Sequence, residues 1–129
     1  MANITNAGLA AIAGLIGNVG SVTAFTYVAT GTGTTAFAVT DTTLGTEVVA
    51  SGLERATVTP TRVTTNVTND TLQLQKAFSV TGTVTVGEVG ILNAASTGTL
   101  LCRNVLSATK SVTSGDTLTA TYKVVGTNT

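Results

Sequence analysis

Six acids, six bases and one cysteine make up nearly all the reactive chemistry of this 129-residue chain, which contains no histidine and no tryptophan. Without an imidazole there is no general base poised near neutral pH, no His-ordered nucleophile and no histidine ligand for zinc. The acids Asp41, Glu47, Glu54, Asp70, Glu88 and Asp116 are scattered singly. Two of them could meet in space as a glycosidase-like pair. Asp41, Asp70 and Asp116, however, each stand beside Thr or Gly at an expected turn, where a carboxylate bonds nearby amides by default. A calcium loop needs several acidic oxygens close together in sequence, and no such cluster is present. Gly31-Thr-Gly-Thr-Thr has the outline of a phosphate-cradling loop but lacks its lysine and the helix that should follow. Glycines that let a strand turn sharply explain it better. Cys102, in the apolar run Leu100-Leu101-Cys102, reads as a small buried hydrophobe, and a single cysteine forms no internal disulfide. The reading therefore assigns no catalytic residue, no metal ligand and no cofactor.

Glu88 is the charge that stands out, because it interrupts the apolar run Val84 to Leu92. The strand expected to pair with that run carries Arg103 at nearly the same distance from the intervening turn. A cross-strand Glu88–Arg103 ion pair would let both sit in a half-buried sheet. The alternative is that each charge faces a neighbouring subunit.

The elements that must position these residues are written mostly in threonine, about a quarter of the chain, with valine, alanine and glycine. β-Branched residues favour strands, and the glycines supply turns. A hydrophobic share of 43% is that of a globular domain, and 129 residues suffice for one. Charged residues make up only 9%, against about 25% in an average soluble domain. Such a surface is either kept soluble by hydroxyls or buried against other subunits, so a homo-oligomer is expected. The balanced charge, with no basic run, excludes a phosphate-binding stripe and hence nucleic acid. Five aromatics, Phe25, Tyr27, Phe37, Phe78 and Tyr122, are too few for a base-stacking platform. Ala7 to Ile16 is too short to span a bilayer and has no positive charge ahead of it, so neither a membrane span nor a secretory signal is expected. The sequons at Asn3, Asn66 and Asn69 are then chance matches.

Residues 1–20 form the predicted N-terminal helical segment. Leu9, Ile12, Ala13 and Ile16 draw one apolar stripe, with Thr5 or Asn6 as N-cap and Gly17-Asn18 as the stop. Leu9, Ile12 and Ile16 are the expected contact residues, docked on either the domain or a partner. Residues 21–125 form the β domain. Its strands are expected around Phe25 to Ala29, over Arg55 to Val63 with Pro60 marking an edge, from Leu72 to Val80, over Val84–Leu92 and Leu100–Leu106, and over Thr117–Val125. Residues 31–52 lack periodicity and read as an extended loop or arm that could reach a neighbour, and residues 126–129 as a flexible tail. Six or seven strands spaced by about ten residues predict an antiparallel β-sandwich or barrel.

Five phrases, taken in order, carry a resemblance: Ile4-Thr-Asn-Ala-Gly-Leu9, Phe25-Thr-Tyr-Val-Ala-Thr-Gly-Thr-Gly-Thr-Thr35, Asp41-Thr-Thr-Leu-Gly-Thr-Glu47, Val86-Gly-Glu-Val-Gly-Ile-Leu-Asn93 and Ser114-Gly-Asp-Thr-Leu-Thr119. The chain from about residue 4 to 125 resembles small virion structural proteins of tailed bacteriophages. Similar chains tend to show Leu-Ala-Arg where this one has Leu101-Cys-Arg103, in keeping with a buried small residue at Cys102. The resemblance implies a structural protein with no catalytic residue, made in the host cytoplasm and carried on the virion. The leading expectation is a capsid decoration (cement) protein on the outer capsid surface. It would be a trimer contacting the major capsid protein and copies of itself, with no small-molecule substrate. The alternatives are a tail, baseplate or fibre component and, from another class, a carbohydrate-binding or glycan-hydrolysing module.

Overall fold

The computed structural model describes residues 3–128, so Met1 and Ala2 of the N-terminal segment and Thr129 of the tail lie outside the described residues. Helix α1 (Asn6–Gly17) is followed by β1 (Tyr27–Gly31), β2 (Ala56–Thr57), β3 (Thr61–Val63), β4 (Thr71–Ser79), β5 (Val84–Leu92), β6 (Leu100–Val112) and β7 (Thr117–Val125). They make two antiparallel sheets, in the orders β2-β1-β5-β6 and β3-β4-β7. The architecture is thus the sandwich form of the predicted mainly β fold, with its short N-terminal helix. Val28, Val86 and Ile91 from the first sheet and Leu74, Phe78, Tyr122 and Val124 from the second fill the core between them. The alternation of β4 and β7 places these residues on one face, as a half-buried strand requires.

Two elements depart from expectation. The predicted strand over Arg55 to Val63 is two short strands in different sheets: β2 pairs with β1, and β3 with β4. Pro60 sits between them, where a residue without an N–H to donate ends one ladder before the other begins. β6 also runs on to Val112, beyond the expected Leu106.

Helix α1 is capped as its sequence directs. Thr5 Oγ1 accepts from Gly8 N at 2.8 Å while its hydroxyl donates to Leu100 O at 2.6 Å. Asn18, in the left-handed region at φ 53°, stops the helix. Toward the domain the helix turns its small residues, so of the two docking alternatives for Leu9 and Ile16 the domain is not the one used. Gly8, Ala11 and Gly14 are the buried residues, with Ile12 packed partly against the core. A Cβ at Gly8 would overlap the Leu101 carbonyl, and one at Gly14 would overlap the Val22 side chain and the Val19 carbonyl. Only the small-residue face fits that approach. Leu9 and Ile16, two of the three predicted contact residues, are 53% and 83% exposed.

Two irregularities in the β5–β6 pairing decide what lies on each side of the first sheet. The register shifts between Val86 and Glu88, and again between Ile91 and Leu92. Such bulges slip the side-chain alternation by one residue. Val86 and Ile91 therefore belong to the core, while Leu92 joins Ala29, Leu44 and Leu100 in a second cluster on the outer face. The 31–52 segment closes over that outer face, contributing Leu44. It is a fitted covering layer rather than an outstretched arm, with Thr32 N bonded to Thr46 O and Val48 N to Thr30 O, both at 2.9 Å.

Candidate functional site: a buried carboxylate clamp

Glu88 on β5 lies under this covering loop and is fully buried. Arg103 Nε on β6 donates to Glu88 Oε1 at 2.7 Å, and the arginine is only 2% exposed. In the ladder Glu88 stands opposite Val105, and Arg103 opposite Gly90, so the pair is diagonal rather than directly facing. Gly90 lets the covering loop and β6 come close, since a Cβ on it would overlap Leu44 and press on Leu100.

The carboxylate does more than pair with the arginine. Gly45 N donates to Oε1 at 2.8 Å, and Thr46 N and Gly33 N donate to Oε2 at 2.8 and 2.9 Å. Three amides from two turns of the loop thus converge on one side chain. This explains the glycines better than the sharp turn expected of them: a Cβ at Gly31 or Gly33 would overlap the Glu88 carboxylate. Each of the three guanidinium nitrogens is engaged. Nη1 donates to Asp41 Oδ2 at 3.0 Å and Nη2 to the Thr35 carbonyl at 2.8 Å. Asp41 accepts from Ala38 N as well, at 3.0 Å, so it holds its own turn as expected and adds a second ion pair that was not.

Electrostatics follow from this geometry. Burial alone would raise the Glu88 carboxyl, but the Thr46 amide, Arg103 and the Gly45 amide outweigh it and hold the group below the ordinary value of 4.5. For Arg103, burial opposes the charge while Glu88 and Asp41 more than restore it. A buried pair of this kind stays ionised because hydrogen bonds replace the lost water. Sequence reasoning missed the loop amides and Asp41, whose partners lie 42 to 62 residues away in the chain. Their available signal was the recurrence of glycine at 31, 33 and 45 in one segment and a lone acid in an apolar run in another, with nothing local to join the two.

Four further charges, Arg55, Glu47, Asp70 and Asp116, also serve the scaffold. Arg55 makes a two-pronged pair with Glu47, at 2.6 and 3.0 Å, and its Nη1 donates to the Ala94 and Thr97 carbonyls of the β5–β6 turn. Asp70 accepts from the amides of Val67, Thr65 and Asn66, with Val67 the strongest influence, and titrates well below the carboxylate range. Asp116 holds Thr113 N at 2.8 Å. Cys102 is buried and its thiol is pushed up to about 12 by that burial, leaving no thiolate at neutral pH. Of the five aromatics, Phe25, Phe78 and Tyr122 are buried and Tyr27 and Phe37 half-buried. Among the described residues no group of three His, Cys, Asp or Glu could hold a metal ion.

The sequence model of the podophage GP4 fiber I protein gp80 family matches residues 9–126. The chain belongs to that family. The stretch matched runs from within α1 past the end of β7, so it takes in the clamp, the covering loop and both sheets. The protein is accordingly a structural protein of tailed phages, as the resemblance in its motifs implied. The family description names a fibre, which favours the fibre alternative over the capsid decoration expected first. The chain matches no curated protein.

Proposed function

We propose that this protein is a non-enzymatic structural subunit of a tail fibre, held in the virion by contacts with copies of itself and with neighbouring tail proteins. The observation that carries the reading is the family match across 9–126. The clamp supports it physically. Glu88, Arg103 and Asp41 spend their hydrogen-bonding capacity on one another and on the loop, which suits a rigid building block better than a site that must bind and release. The charge-poor, hydroxyl-rich surface suits lateral burial between copies. A sugar-binding role would call for exposed rings to stack on, and all five aromatics are buried or half-buried.

The test is location and copy number on the particle. Gold-labelled antibody, or a reconstruction of the virion, is expected to place the chain on the tail in few copies. Hundreds of copies over the capsid lattice would overturn the fibre reading and restore decoration of the outer capsid surface through the major capsid protein.

A further inference from the structure

The charges of this chain balance in number but not in place. Asp41, Glu47 and Glu88 are held in ion pairs, and Asp70 and Asp116 spend their oxygens on amides of their own turns. Among the described residues that leaves one acid without a partner, Glu54, exposed just before β2. Arg55 and Arg103 answer the paired acids. The other four bases, Arg62, Lys76, Lys110 and Lys123, have no acid within ion-pair distance among the described residues. They lie on β3, β4, the far half of β6 and β7. A chain of zero net charge thus has a cationic side.

Three of these bases surround an open cleft. β6 and β7 each end a sheet, so each has an edge that no strand of the subunit covers. Residues 3–5 run along β6 only as far as Arg103, with Thr5 N bonded to Leu101 O at 3.0 Å and Arg103 N to Asn3 O at 3.3 Å. Beyond that point β6 bulges, and the four residues from Leu106 to Thr109 stand against Gly87 alone. The two edges flank a cleft of about 250 Å³, walled by Val86 and Leu106 on one side and by Leu118, Ala120 and Tyr122 on the other. Lys110 lines it, Lys76 stands opposite Ala120 in the ladder, and Lys123 follows Tyr122 on β7.

These features identify the occupant. A free edge offers backbone donors and acceptors to an extended chain, and a cleft beside it takes alternate side chains. Lysines on such an edge bar the like edge of a second copy. They favour a strand that brings carboxylates, which another copy does not supply because its acids are already engaged. The copy's remaining edge strands, β2 and β3, are only two and three residues long. The apolar walls call for apolar side chains, which a polyanionic sugar lacks.

We infer that the β6–β7 edge is a docking site for an extended strand of a different protein, in which apolar residues alternate with Asp or Glu. The apolar side chains enter the cleft, and the carboxylates meet Lys110 and Lys123 at its rim. Resting on the fibre reading, that protein is a neighbour in the tail, whereas the docking chemistry holds wherever the chain is mounted.

The probe is a fluorescein-labelled peptide of alternating valine and glutamate, nine residues long like β7, titrated with the full chain and read by anisotropy. It should bind at least about tenfold more tightly than the same peptide with lysine for glutamate, and more weakly as salt is raised. A version with proline for valine keeps the charge but cannot donate to a ladder, and should not bind. Lys110→Glu/Lys123→Glu should weaken binding at least about tenfold with urea unfolding unchanged, because both side chains are exposed. On binding, amide exchange should slow over Asn104–Val112 and Thr117–Val125. An unbound valine–glutamate peptide, equal binding of the lysine or proline version, or a double variant that binds like the wild type overturns the inference. So does protection confined to β2 or β3. Dextran sulfate bound in place of the peptide would reassign the cationic side to an acidic polysaccharide. A chain found on the capsid leaves the docking intact, and a failed titration leaves the tail location intact, so the two readings fail separately.

Discussion

Replacing Glu88 by alanine tests whether one carboxylate holds the covering layer onto the sandwich. The change strands Arg103, 2% exposed, beside a void, and leaves the amides of Gly33, Gly45 and Thr46 without their acceptor. Breaking a buried ion pair from one side costs about 3–5 kcal/mol. Arg103 keeps Asp41 and the Thr35 carbonyl, which moderates its share, while the three freed amides add to the loss. A loss of about 4 kcal/mol is expected, a fall in Tm of roughly 12–16 °C for a domain of this size. Calorimetry or urea unfolding reads the magnitude. Amide exchange reads the place: Gly33, Gly45 and Thr46 should exchange at least tenfold faster, while β4 and β7 change only with global stability. A double-mutant cycle with Arg103→Ala should show strong coupling. An apolar replacement of both residues should recover only part of the loss, because the loop amides would remain unpaired. The pH dependence has a definite sign. The folded carboxyl titrates below its ordinary 4.5, so the unfolded chain takes up the proton first. The stabilisation is whole above about pH 4.5 and is lost as pH falls through the folded value, and Glu88→Ala should remove that part of the acid sensitivity. A loss under about 1 kcal/mol, or unchanged exchange at the three amides, would refute the clamp.

Two glycines should respond in opposite directions. Gly33→Ala forces a methyl into the Glu88 carboxylate and should cost about 2–3 kcal/mol in urea unfolding, whereas Gly17→Ala, at the open end of α1, should be neutral or stabilise by up to about 1 kcal/mol. Equal effects at the two positions would show that steric clearance is not what requires glycine at 33. Arg55→Ala removes the paired bonds to Glu47 and the hold on Ala94 and Thr97, and should cost about 1–3 kcal/mol with faster exchange confined to the 93–99 turn. Cys102 should resist maleimide at pH 8 in the native protein and react fully in denaturant, and rapid native labelling would contradict its burial.

Composition and local spacing were enough for the fold class and most elements. The Leu/Gln alternation marked β4, the apolar run β5 and the Thr-rich alternation β7, with Ser114-Gly-Asp turning the chain into the last strand, because each signal is confined to a few neighbouring residues. The Thr5 cap and the Asn18 stop are local for the same reason. That Glu88 and Arg103 lie close could be read from their distances to the turn between them. Tertiary structure alone decided the rest. A bulge after Val86 slips the alternation so that core and clamp occupy opposite faces of one sheet, and no periodicity in the sequence announces it. The helix turned its small face inward because only a glycine at position 8 clears the Leu101 carbonyl, a question of ångströms between segments 93 residues apart in the chain. The loop over residues 31–52 had no pattern to read because amides hold it, and a backbone N–H is the same at every residue. Only the folded chain brings Gly33, Gly45 and Thr46 to the one buried carboxylate that needs them.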